Sequence, residues 1–138
     1  MIRKAALLLA ALWAAPAAGA VECSDAAYDG NRYSICEVDA SKEQLRLFLR
    51  DGEGQVYGHF STLDEALAED GKLLAFATNA GMYHNDRSPV GLYVEDGAQE
   101  MRLVTNAGPG NFGLLPNGVF CIRQGRADVF ETLAFEKS

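Results

Sequence analysis

Closely spaced turn signals constrain this chain more than any other feature. Asp51-Gly52-Glu53-Gly54, Asp96-Gly97, Pro116-Asn117-Gly118 and Gln124-Gly125 each put Gly where the backbone must reverse, next to a strand-like run. Glycine reverses at little cost because no Cβ excludes positive φ. The runs are short. Tyr33 to Val38, Leu45 to Leu49 and Gln55 to Phe60 read as a β-meander, and 91–95, 101–105, 119–123 and 127–132 as further strands. Leu73-Leu74-Ala75-Phe76-Ala77-Thr78 is continuously apolar, the pattern of a strand covered on both faces. One helix is signposted, with Ser61 or Thr62 as N-cap, Glu65 completing a capping box, and Gly71 as the stop. Tight connections favour an α+β fold, a largely antiparallel (mixed) sheet with one or two short helices packed on it.

The first twenty residues read as an export signal. Arg3 and Lys4 precede an apolar stretch from Ala5 to Trp13, and Ala18-Gly19-Ala20 offers a small-residue cleavage site. Cleavage there gives one domain, 21–138, without stable membrane insertion; an uncleaved N-terminal anchor is the alternative. Cys23 stands two residues past the cut, whereas a lipid-anchored chain needs Cys at the first mature position. The first twenty residues hold two cations and no acid, so their removal takes the net charge from −7 to −9. A nucleic-acid partner needs a basic face, so that class is excluded. A phosphate ligand would need a local positive patch, for which Arg87, Arg102, Arg123 and Arg126 are candidates.

Three cysteines in an exported chain invite pairing. Cys23 and Cys36 flank a polar, turn-rich segment, and a bridge between them would stabilise by about 2 to 3 kcal/mol. We expect that bridge, although spacing alone leaves the other two pairings open. Cys121 lies in an apolar strand as a small hydrophobe.

Asn79-Ala80-Gly81-Met82-Tyr83-His84 leaves the apolar run at 73–78, and Gly110-Asn111-Phe112-Gly113-Leu114-Leu115-Pro116-Asn117-Gly118-Val119-Phe120 follows some thirty residues on. Both put Asn and Gly where a carboxamide can project into a cleft. With Pro89-Val90-Gly91-Leu92-Tyr93 between them, these motifs resemble the phosphodiester glycosidase family, proteins related to the enzyme that removes a capping N-acetylglucosamine from mannose 6-phosphate. The resemblance runs from about Cys23 to about Thr132 and lacks the family's C-terminal Gln-Ser-Gly-Pro and Arg-Asn-Gly signatures, so the domain reads as incomplete at its C-terminus.

The resemblance implies hydrolysis or recognition of a sugar-1-phosphodiester by a periplasmic or secreted protein, with a carbohydrate or sugar phosphate as partner. It places Asn79 and Gly81 at the substrate cleft. Asp86 is the candidate acid or base, with Asn79 beside it; Tyr83, Arg87, Asn111, Asn117 and Gly118 complete the expected site. His59 and His84 lack metal-ligand spacing, so neither a metal nor another cofactor is expected. Two other readings stand beside hydrolysis: a non-catalytic periplasmic glycan-binding module, and an inactive, shortened family member. A glycosidase usually needs two carboxylates, and no pair announces itself among Asp86, Glu95, Asp96, Asp128 and Glu131.

Overall fold

The computed structural model describes residues 21–110 and 113–136; the expected signal segment, Asn111 and Phe112 lie outside them. Around Asp29-Gly30, strands β1 (Val21–Tyr28) and β2 (Asn31–Val38) pair antiparallel along their full length. Asp29 and Gly30 have φ of 48° and 75°, the paired left-handed geometry that suits a two-residue hairpin. Cys23 lies directly opposite Cys36 in this register, their Cα atoms 4.1 Å apart, and the two form the expected disulfide. The stretch between them is therefore a ribbon; its turn signal is Asp29-Gly30, and the polar residues beside it are exposed strand positions.

The paired left-handed geometry recurs once, and a third two-residue turn has a single left-handed residue. Asp96-Gly97, with φ of 48° and 84°, joins β3 (Tyr93–Glu95) to β4 (Ala98–Met101), and Gly125, at φ 71°, helps join β5 (Gly118–Arg123) to β6 (Arg126–Glu131). Helix α1 (Phe60–Glu69) precedes the second ribbon and α2 (Thr132–Glu136) follows the third. The fold is thus α+β with antiparallel strands, arranged among the described residues as three two-stranded ribbons.

Several expected strands are shorter or absent. The 45–49 and 55–60 runs meet through the Arg50–Val56 bridge, with the Asp51 N–H donating to Gln55 O at 2.8 Å and the Tyr57 N–H to Leu49 O at 3.1 Å. Of 101–105 only Met101 joins a ladder. Residues 73–78 belong to no strand, and Leu73 is 88% exposed, so the run is not covered on both faces. A strand exists only where a partner accepts its backbone, and hydropathy alone does not supply one.

Helix α1 starts earlier than its capping-box signal. His59 is the N-cap, in extended conformation and without a side-chain cap hydrogen bond, and its carbonyl accepts from the Leu63 N–H at 3.3 Å. Leu63 and Leu67, one turn apart, are the buried apolar side chains among the described residues. The predicted stop is present: Gly71 at φ 70° donates to Ala68 O and Lys72 to Leu67 O, the paired bonds of a Schellman ending. Because the start lacks a cap, His59→Asp is expected to raise stability by about 1 kcal/mol. Urea unfolding of the two proteins checks this; an unchanged midpoint would reject the N-cap assignment.

The α2 end is tied to the third ribbon. The buried Thr132 donates its N–H to Asn117 O at 3.0 Å, the Ala134 N–H donates to Glu131 Oε2 at 2.8 Å, and the Phe130 and Phe135 rings lie 6.1 Å apart.

Candidate functional site

The residues after Asn79 form a small hairpin whose geometry follows from local bonds. Tyr83 bridges Pro89, the Val90 N–H donates to Met82 O at 3.1 Å, and the His84 N–H donates to Ser88 O at 2.9 Å. Asp86 closes the tip: its Oδ1 accepts from the Ser88 N–H at 3.0 Å and from Ser88 Oγ at 2.7 Å. These bonds to Ser88, side chain first and then backbone, hold the Asp86 carboxyl below its ordinary value. It is accordingly a carboxylate at neutral pH, suited to accepting a proton and unsuited to donating one.

Arg87 adopts φ 69° at this tip, which is uncommon for a residue with a side chain. Its guanidinium carbon sits 4.9 Å from the centre of the half-exposed Tyr83 ring. Among the described residues, Arg87 makes no ion pair. Arg102 and Arg123 likewise lack a carboxylate partner there, whereas Arg126 is bound by both oxygens of Asp128 at 2.8 Å. Of the four arginines expected to serve phosphate, Arg126 is thus held by a carboxylate, while Arg123 lies over the Phe130 ring and also acts on Asp128 through its charge.

Asn79 and Gly81 behave more plainly. Asn79 Nδ2 donates to Gly81 O at 3.3 Å, so the exposed carboxamide ties its own turn. Gly81 lies outside the left-handed region, and a Cβ there would meet nothing within 4 Å. Its backbone thus does not require glycine; any requirement would come from a ligand.

The second motif is organised by packing. Asn111 lies outside the described residues. The half-buried Asn117 presents its carbonyl to Thr132, and Gly118 opens β5, where a Cβ would meet Val129 Cγ1 at 2.9 Å and Phe130 O at 3.3 Å. A Cβ on Gly113 would collide with the Gly108 backbone, so this loop too needs glycine for close approach. Among the described residues, no hydrogen bond, ion pair or ring contact joins the 79–90 hairpin to the 113–118 loop.

A cleft lies elsewhere and was not legible in the motifs. Its volume is about 300 Å³, between the 46–57 turn, α1 and the Asp96 turn, and Arg46, Phe48, Tyr57 and Glu95 line it. Glu95, which reads in sequence as an ordinary strand-edge charge, accepts from the Leu49 N–H at 3.2 Å and from the Tyr93 hydroxyl at 2.8 Å. Burial, and then the bond to Glu95, push the Tyr93 phenol well above its usual range. Its only sequence signal was a carboxylate two residues from a tyrosine on one face of a strand. A second cleft, of about 370 Å³, lies between residues 40–46 and the β5–β6 turn. Neither contains a residue of the two motifs. No group of three His, Cys, Asp or Glu among the described residues could hold a metal ion, and no described helix is long and apolar enough to cross a membrane.

Comparison with known protein families and with solved structures finds no match. The uncharacterized protein YigE of Escherichia coli (strain K12) is 29% identical to the chain over 101 residues, 73% of this chain and 39% of that protein. The chain thus spans well under half of that relative's length.

Proposed function

We propose that the protein is an exported, phosphodiester glycosidase-like protein that recognises a sugar joined through its anomeric oxygen to phosphate, and that hydrolysis of this bond is its reaction. The observation that carries the reading is Arg87, a guanidinium without a carboxylate partner among the described residues, placed over a half-exposed aromatic ring at the tip of the motif hairpin. A planar guanidinium pairs with two phosphate oxygens at once, and the adjoining Tyr83 ring offers an apolar face to a sugar. The Cys23–Cys36 disulfide is compatible with an oxidising compartment and so supports export.

The chemistry of the substrate bears on the missing second carboxylate. A sugar-1-phosphodiester releases a phosphate monoester, which is already a stable anion and needs no proton to depart. Water attacks the anomeric carbon, the bond from that carbon to the phosphate oxygen breaks, and its electron pair leaves with the phosphate. The water's proton passes to a base, the role that an ionised Asp86 can fill. A second reading, glycan binding without cleavage, is favoured by one observation: Asp86 Oδ1 is already engaged with Ser88.

Calorimetric titration with a synthetic sugar-1-phosphodiester tests the reading. Arg87→Ala should weaken binding roughly 10- to 30-fold, the value of about 1.5 to 2 kcal/mol for a charged hydrogen bond, with affinity for the phosphate-free sugar unchanged. No binding by the parent protein, or an equal loss for both ligands, would reject the phosphate role. Product formation by mass spectrometry separates hydrolysis from binding alone.

A further inference from the structure

The cleft of about 300 Å³ between the 46–57 turn, α1 and the Asp96 turn lies apart from both motifs, and its charges do not balance. Four carboxylates line it, Asp51, Asp70, Glu95 and Asp96, against two guanidiniums, Arg46 and Arg50. Both guanidiniums are already held, Arg46 by Asp96 at 3.3 Å and Arg50 by Glu100 at 3.7 Å. Asp70 has Lys72 at 3.0 Å, and Asp51 closes its own turn by accepting from the Glu53 and Gln55 N–H groups. Glu95 is the exception. Half-buried, it accepts from the Leu49 N–H and the Tyr93 hydroxyl on one oxygen, Oε2, and among the described residues neither a cation nor a donor meets Oε1. A partly desolvated carboxylate without a counter-charge is unfavourable, and a cation entering the cleft offsets that cost.

The same cleft has an aromatic wall. The half-buried Phe48 and Tyr57 rings meet edge to face with centres 6.2 Å apart, and the Arg46 guanidinium carbon lies 4.9 Å from the centre of the Phe48 ring. This wall thus already carries one cation of the chain's own, whereas Tyr57 carries none among the described residues. The surrounding field is negative too: burial raises the Tyr93 phenol most, and the bond to Glu95 and then the charges of Glu95, Glu100 and Asp96 raise it further. We propose that the cleft binds a small organic cation, a protonated amine on a compact apolar body, with the ammonium at Glu95 Oε1 and the body against Tyr57 and Phe48. A carboxylate beside aromatic rings selects this class, because the ring faces and the charge both attract a cation. An anionic ligand would be repelled, and a neutral one would leave Glu95 without a counter-charge. A bare metal ion would lack its ligand set, since no group of three His, Cys, Asp or Glu among the described residues could hold one. The volume lies at the lower end of ligand pockets, so the body is small.

Calorimetric titration with cyclohexylammonium chloride, and with cyclohexanol as the uncharged body of the same shape, tests this. The amine should bind with a dissociation constant on the order of 1 mM, at least about tenfold tighter than the alcohol, and more weakly as salt screens the pair. Glu95→Gln keeps an oxygen for the Leu49 N–H and the Tyr93 hydroxyl, and should lose about tenfold in affinity for the amine and nothing for the alcohol. Tyr57→Leu, still apolar, should weaken the amine about threefold. Arg87→Ala, the variant that probes the phosphodiester site, should leave amine affinity unchanged, so the two sites fail separately. No saturable heat with the amine, or equal affinity of the parent chain for amine and alcohol, would overturn the proposal whatever the stability of the variants. So would full affinity in Glu95→Gln, or loss of the amine in Arg87→Ala.

Discussion

Cys36→Ala should destabilise the β1–β2 ribbon by about 3 kcal/mol, the chain-entropy value for a loop of this length, and leave the rest of the fold nearly untouched. The bridged residues stand thirteen apart and directly opposite in the ladder. The ribbon packs on no other described helix or strand, and its apolar side chains are largely open, Tyr28 at 77% exposure being the extreme. Lone two-stranded hairpins are marginal in water. The covalent closure is therefore what keeps this one formed, whereas a ribbon seated on a core would share its stability with the domain. Hydrogen exchange by mass spectrometry gives the readout. In the variant, amides of 21–38 should exchange about a hundredfold faster, as 1.4 kcal/mol per tenfold implies, while those of α1 keep their rates. A uniform rise throughout the chain would show that the ribbon folds with the rest, and no rise would show that the disulfide is dispensable.

The parts of the fold legible in sequence are those fixed by local chemistry. Gly71, Asp96-Gly97 and Gln124-Gly125 were identifiable because a reversal needs residues that tolerate left-handed backbone, and that need is met within four positions. The disulfide was legible for a related reason, since its two cysteines are close in sequence. Partnering was not legible. The 73–78 run has the hydropathy of a covered strand and lacks a neighbour, and the helix begins at Phe60, ahead of the Thr62 and Glu65 pattern, since its first turn closes on the His59 carbonyl. Site residues divide in the same way. Asp86 and Arg87 stand one after the other in the polar run from His84 to Ser88, just after Tyr83, and their bonds there are local. Glu95 was missed because its partners Leu49 and Tyr93 come together only when two distant turns approach.

Asp86→Asn should lower turnover of a sugar-1-phosphodiester by about 10² to 10⁴, the usual contribution of a general base, while binding of the intact diester changes little. The carboxamide oxygen can still accept from the Ser88 N–H, so the hairpin tip should survive and the loss reflects proton transfer. The pH profile adds a second check. Ser88 holds the Asp86 carboxyl below the ordinary 3.8, so the base is ionised above that pH and activity should fall only as pH drops through the lowered value. The same sign applies to the tip itself: stability drawn from the Ser88 bonds is present above 3.8 and is lost as Asp86 gains its proton. Ser88→Ala removes the first-named cause of the depression, the side-chain hydrogen bond, and should move the acid limb of the profile upward. An acid limb that stays in place in Ser88→Ala, or full turnover by Asp86→Asn, would assign proton transfer to another group and leave Asp86 as the closure of its own turn.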